Sequence, residues 1–451
     1  MSIVRLVTGL VLASFLVLAG CTKEKQPEAP AHVKILTEFE DMFEMEYGRM
    51  LASKFPDTEF EVVGWQLHSM IQAPLPEGVD PGAERLRRMK QIVDEEKPDL
   101  FFSQSYFSEL AREGKFVELE PFIKADELNL DELNAHVVAD IRRRGGGKLY
   151  GLAPKYSARA LFYNKELFDE QKIPYPEGLM SWEGTLKLAE RFAGLEKDGK
   201  PLYGLTPDWD HYFNHEGYLM LNIGWAEGLQ AYDDNGTAMS IRTEPWKRIA
   251  ERVVQSVKAG VVQLRSGDDS PIDRVEQFKH SAMYIAPYEF TGYLKDEEQR
   301  DSDFQWGVTT VPVNPTNPVN VYMVDKIAAI VSGTPSPNAV WEIVRYLNGE
   351  EMAKQQAKLE LTEPKLLTYS LPESEMEEWE APFRALEPKQ VSEGGRLSPQ
   401  FSYDFAAIAA EELRKTVEER QSLDEALQFM HERGTQLLSD YAARDGNDGE
   451  G

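Results

Sequence analysis

Between residues 33 and 102 the chain alternates β-prone and helix-compatible stretches, and this alternation constrains the fold more than any other feature. Val33 to Thr37 is a short β-prone run, Met42 to Lys54 is compatible with a helix, and Glu59 to Val63 is β-prone again, ending at Gly64-Trp65. Strand, helix and strand in that order make a βαβ unit. Leu86, Met89, Ile92 and Val93 then recur at helical spacing, Lys97-Pro98 ends that element, and Asp99 to Phe102 is a further apolar strand, so a parallel sheet is expected. Tyr106 to Arg112 reads as a short helix closed by Gly114, a position where a left-handed cap residue is usual.

The later chain repeats this grammar. Ser181 is a good N-cap for a helix whose Trp182, Leu186, Ala189 and Phe192 share a face. Ile327 to Val331 is a buried-strand run, and Pro337 sits where a first helical residue belongs, followed by the stripe Val340, Ile343, Val344 and Leu347 and by Gly349. Ser422 precedes another amphipathic pattern, Leu423, Ala426, Leu427 and Met430. Tyr232 to Thr237 reads as a hairpin turn, because Asp233-Asp234-Asn235-Gly236 lacks the alternating acids and terminal Glu of a calcium loop.

The ends are of a different kind. Arg5 is followed by an apolar run from Leu6 to Ala19, shorter than the roughly 20 residues of a spanning helix, so residues 1–20 are read as a secretory signal rather than an uncleaved anchor. Residues 22–31, TKEKQPEAPA, look like a tether, and residues 444–451 like a disordered tail. Cys21 is the sole cysteine, so no disulfide holds the body, and stability must come from packing. A chain of this length exceeds the ceiling of about 250–300 residues for one core, so two or more packing units are expected. Net charge is -28, or about -29 without the signal, which makes nucleic acid an improbable partner and serves mainly solubility.

Leu18-Ala19-Gly20-Cys21 resembles a bacterial lipobox, which implies that Cys21 is lipidated and becomes the mature N-terminus. The blander reading is a lone thiol in a leader. A second segment, Gly147-Lys148-Leu149-Tyr150-Gly151-Leu152-Ala153-Pro154 followed by Tyr163-Asn164-Lys165-Glu166-Leu167-Phe168 and Ser181-Trp182, resembles the extracellular solute-binding proteins of family 1, the sugar-capturing subunits of ABC importers. Ala153 is an extra residue against that pattern. Ala282 to Ala286, Trp306-Gly307-Val308 with Pro312, and the helix from Asn338 extend the likeness, in order, over Val33 to about Tyr441.

The resemblance implies an α/β fold of the two-lobed periplasmic-binding-protein type II class, with a hinge and an interlobe ligand cleft. Lobe one would comprise residues 32–153 and 312–362, and lobe two residues 154–311 and 363–443, with crossings near Pro154, Val311 and Thr362. It also implies capture of a carbohydrate without chemistry, ABC permease partners, an extracytoplasmic, lipid-anchored location and a monomer, with no cofactor.

A sugar offers apolar faces and a ring of hydroxyls, so its site needs aromatic surfaces flanked by hydrogen-bonding groups, here at strand ends. The candidates on lobe one are Phe39, Glu40, Trp65, Gln66, Ser103 and Tyr106. On lobe two they are Tyr156, Ser157 and Arg159, then Trp209, Asp210 and Tyr212, with Tyr288, Glu289, Tyr403 and Phe405. Tyr288 would stand where many relatives carry a stacking tryptophan. Trp182 and Trp341 lie within helical patterns and are assigned to the core.

Three other functions answer to parts of the sequence. A glycoside hydrolase needs two acids at a fixed separation, and abundance of acid is not pairing. His211 and His215, four apart and near Asp208, Asp210 and Glu216, have zinc-chelating spacing but lack the His-Glu-x-x-His pattern. A sensing or adhesive lipoprotein on the same fold is the third.

Overall fold

The computed structural model describes residues 32–76, 81–209, 215–233, 235–264, 270–320, 322–359, 364–372, 374, 376–388 and 399–447. Cys21, the leader and the tether lie outside these residues, as do Asp210, His211 and Tyr212.

The first sheet grows from the βαβ unit. β1 (His32–Thr37) pairs in parallel with β2 (Glu59–Gly64), in a register that sets Ile35 against Val62. Between them the chain is helical from Glu40 to Lys54, with one wider π-type turn over Glu44–Gly48, and it stops at Phe55 ahead of Pro56. β3 (Leu100–Phe102) lies in parallel on the other side of β1, preceded by the helix Pro81–Glu96. Gly114 takes φ +72°, closing the helix Phe107–Arg112 in the left-handed conformation that glycine adopts freely.

The fourth strand, Ala328–Ile330, runs antiparallel to β3, which departs from the all-parallel expectation. A βαβ crossover forces parallel pairing, but this strand is entered directly from the second sheet with no crossover helix, so nothing imposes that direction.

β4 (Lys155–Asn164) joins the two halves. Its first residues pair antiparallel with Tyr322–Val324 on one side and Leu366–Leu367 on the other. Its later residues pair with Ser281–Pro287 and Trp306–Thr310, and Tyr203–Pro207 adds in parallel to Ser281–Pro287. One strand therefore belongs to the hinge at its start and to the second sheet at its end. Tyr156, Ala158, Ala160 and Phe162 pack into a core continuous with the first sheet. Leu161 packs into a second core, against Trp246, Met283 and the C-terminal helices.

Caps stand where the sequence puts them. Ser181 accepts from Gly184 N at 3.0 Å, Pro337 opens the helix Pro337–Leu347, and Ser422 and Glu425 cap each other reciprocally. Gly217 permits one close approach: a Cβ there would stand 2.0 Å from Ala406 O, so the helices Glu216–Ala226 and Pro399–Val417 meet backbone to backbone. Asp233 accepts from the amides of Thr237 (2.6 Å) and Ala238 (3.1 Å), which makes residues around 233–238 a turn.

Candidate functional site

The carboxyl ends of β1, β2 and β3 gather Thr37, Glu38, Trp65 and Ser103. Ligands in open α/β sheets bind at such ends. The β1–β2 ladder continues past the strands, with Trp65 N bonded to Thr37 O (2.8 Å) and Gln66 N to Glu38 O (3.0 Å), so both side chains are held by backbone. Ser103 donates its hydroxyl to Glu38 Oε1 and accepts from Ser105 N at 3.0 Å. Lys326 Nζ stands 4.0 Å from Glu38 Oε2. Tyr106 crosses the Trp65 ring edge-on at 5.9 Å and holds φ +61°, a left-handed conformation that costs a non-glycine residue about 1–3 kcal/mol and occurs most at functional sites.

Three buried polar atoms in this corner have no hydrogen-bond partner: Thr37 Oγ1, Glu38 Oε2 and Trp65 Nε1. Thr37 is fully buried and Trp65 is 3% exposed. Leaving such a group unpaired costs about 1–3 kcal/mol each. A carboxylate oxygen, a hydroxyl that can donate or accept, and a ring N–H donor beside an aromatic pair suit a guest that both donates and accepts.

The second group lies on the hinge strands. Ser157 donates to Glu289 Oε2 at 2.7 Å, Lys365 binds the other oxygen of Glu289, and Lys365 is 3.8 Å from Asp325. Lys155, almost wholly buried, binds Glu46 at 2.8 Å and lies over the Tyr47 ring. Burial pushes the Asp325 carboxyl up from its ordinary value, against the pull of Lys365 and Lys326. Burial likewise raises the Tyr47 phenol.

The third group is at the carboxyl end of Tyr203–Pro207. Arg159 Nη1 donates to Asp208 O at 2.5 Å, and Arg274 lies 3.7 Å from the Asp208 carboxylate. Trp209 is buried, edge-on to Tyr218 at 5.1 Å.

Thus Trp65, Ser103 and Tyr106 come together, as do Ser157 and Glu289, while Arg159 and Trp209 flank Asp208. Tyr156 is on the opposite face of β4 from Ser157. Tyr288 turns toward Trp379 (5.3 Å) and donates its hydroxyl to Glu380 at 2.9 Å; burial and then Glu380 raise its phenol. Glu40 is exposed in the first helical turn after β1. Phe405 is buried against Phe401, rings stacked at 6.3 Å, and Tyr403 is 36% exposed on the same helix. Trp182 and Trp341 are buried in their helices. His215 caps the helix Glu216–Ala226, accepting from Tyr218 N at 3.2 Å. Among the described residues no cluster of three His, Cys, Asp or Glu is placed to hold a metal, and no helix is long and apolar enough to cross a membrane.

Sequence reading missed Thr37, Glu38, Lys326, Asp325 and Lys365. Glu40 lies two residues past Glu38, which is the first residue beyond the β1 strand end.

Burial raises the Glu38 carboxyl above its ordinary 4.5, opposed by the Ser103 hydroxyl and by Lys326. A raised folded-state value means that ionising Glu38 costs stability: its contribution is complete below the ordinary value and is lost as pH rises through the folded one. Glu38→Gln is therefore expected to raise the ligand-free melting midpoint at pH 7 and to change it little at pH 4. Scanning fluorimetry at the two pH values checks this, and an equal shift at both contradicts it.

Two α/β sheets, with polar and aromatic groups gathered at strand ends, define a two-lobed binding fold. Residues 87–354 match the bacterial extracellular solute-binding protein family, and the chain belongs to it. Putative binding proteins of Brucella abortus (strain 2308) and Brucella suis biovar 1 are each 25% identical over 206 residues, 45% of this chain and 47% of theirs. The chain spans about half the length of the curated relatives it matches. Among solved structures, the sugar-binding protein MalE of Xanthomonas citri has TM-score 0.66 and 15% identity, covering 93% of this chain and 100% of its own. The ABC substrate-binding protein of Listeria monocytogenes in complex with cycloalternan has TM-score 0.60 and 16% identity, covering 90% and 99%. The GacH receptor of Streptomyces glaucescens, solved unliganded and with acarbose, has TM-score 0.60 and 18% identity, covering 91% and 99%. At these identities the likeness is one of fold.

Proposed function

We propose that this protein is the receptor subunit of an ABC importer, capturing a carbohydrate between its lobes by hinge closure and releasing it unaltered. The observation that carries the reading is the corner of Thr37, Glu38 and Trp65, where three buried polar atoms have no hydrogen-bond partner beside the Trp65–Tyr106 pair. Sugar hydroxyls satisfy donors and acceptors alike, and the ring faces cover apolar C–H surface. Membership of a solute-binding family supports it, as do structural neighbours described as sugar-binding proteins.

In this reading Ser157, Glu289 and Arg159, with Asp210 and Tyr212, contribute from lobe two, and Lys326 and Lys365 from the hinge. Lobe one takes residues 32–153 and 312–362, and lobe two 154–311 and 363–443. Cys21 carries lipid that tethers the receptor outside the cell membrane, beside its permease, and the receptor works as a monomer.

A thermal-shift screen against malto-, xylo- and cello-oligosaccharides tests this. Specific binding to the folded state at one hundred times Kd adds about 2.7 kcal/mol, a clear rise in midpoint. The bound sugar should be recovered intact by chromatography. A cleaved product, or a midpoint unmoved by every glycan, sinks the proposal.

A further inference from the structure

Beside the hinge a cavity of about 800 Å³ opens between the lobe-two helix Phe290–Arg300 and the end of the lobe-one helix Glu350–Gln356. Its volume falls in the range of about 300–1,000 Å³ usual for small-molecule sites. Of the groups described above, Lys155, Tyr288 and Lys365 reach its wall, whereas Thr37, Glu38, Trp65, Ser103 and Tyr106 do not.

Two buried polar groups line it with capacity to spare. Gln356, 5% exposed, donates its amide to Glu46 O at 2.7 Å, and its buried Oε1 has no hydrogen-bond partner. Lys155, 2% exposed, carries three N–H donors and binds Glu46.

Charge narrows the guest. Lys155 is matched by Glu46, Lys295 by Glu377 at 3.0 Å, Arg384 by Glu380 at 3.2 Å, and Lys365 by Glu289. The last cation on the wall, Lys358, shares it with one further acid, Asp296. An anion therefore meets no surplus of positive charge, and a carboxylate or phosphate cannot donate to Gln356 Oε1. A neutral molecule with several hydroxyls has both the acceptors an ammonium needs and the donors an amide oxygen needs.

We propose that this hinge cavity is a second binding site, for a neutral polyol or monosaccharide, and that its occupancy biases the hinge. Gln356 belongs to the lobe-one side and Asp296 to the lobe-two side, so a bridging guest prefers one hinge angle over others. By linkage it then changes affinity in the interlobe cleft, and the cleft ligand changes its affinity by the same factor. The coupling rests on the proposed function; the binding itself does not.

The test is calorimetric titration of sorbitol, myo-inositol and glucose into wild type, Trp65→Phe, Ala357→Trp and Gln299→Trp. Ala357 and Gln299 are exposed residues on the cavity wall, so a tryptophan at either fills the space without entering the core. At least one compound should bind wild type and Trp65→Phe alike, and bind the two blocking variants about tenfold more weakly or worse. Unchanged affinity in both blocking variants, binding by none of the three, or a loss seen only in Trp65→Phe overturns the site. Failure of the cleft reading looks different: no oligosaccharide stabilises wild type, while polyol binding still responds to Ala357→Trp.

Discussion

Trp65→Ala should lower carbohydrate affinity by about 2–4 kcal/mol, roughly 30- to 1,000-fold, the size of effect seen when a central aromatic anchor is truncated. Trp65 packs edge-on against Tyr106 beside the carboxyl ends of the first sheet, and its buried N–H has no hydrogen-bond partner. The two parts separate in Trp65→Phe, which keeps a ring and removes the donor. That variant should lose only about 1 kcal/mol of binding, the usual net worth of one hydrogen bond. Its ligand-free stability should hold or rise, since an unsatisfied buried group disappears with the indole N–H. Titration calorimetry against the best ligand of the thermal screen, with urea unfolding of each variant, checks the pattern. If the alanine variant binds as tightly as wild type, Trp65 is a core residue of lobe one, and the cleft must be read from Arg159 and Trp209 instead.

Local chemistry was legible in the sequence, and chemistry assembled across the hinge was not. The first βαβ unit could be read because Val33, Ile35 and Leu36 carry burial and Pro56, Pro98 and Gly114 carry punctuation within a few residues. Ser181, Pro337 and Ser422 gave three helix starts for the same reason. The antiparallel Ala328–Ile330 could not be read, because its direction depends on where the chain re-enters the first sheet. Glu38 and Lys326 come from positions far apart in sequence and share no spacing that a scan detects. Phe405 had a usable signal: Phe401, Phe405 and Ala409 stand four apart, which is the stripe of a buried helix face, and all three are buried.

Lys155→Met should destabilise the protein by about 3–5 kcal/mol, because it removes one partner of a buried ion pair and strands the other. Lys155 sits at the start of β4, 2% exposed, and Glu46 is held in the π-type turn of the lobe-one helix with its side chain 14% exposed. The pair therefore ties the start of β4 to the helical segment after β1. The reverse change, Glu46→Gln, should cost less. It leaves an ammonium 5.0 Å above the Tyr47 ring, and a cation over an aromatic face keeps about 0.5–2 kcal/mol of attraction. Methionine in place of Lys155 offers the stranded Glu46 carboxylate no such compensation. Lys155→Met combined with Glu46→Leu should recover most of the loss, since a buried pair replaced by apolar side chains of similar volume is commonly neutral in stability. Urea midpoints of the two single variants and the double variant decide it. Equal losses in both single variants would mean that Tyr47 contributes nothing, and a double variant worse than Lys155→Met would mean that Glu46 is held by groups other than Lys155.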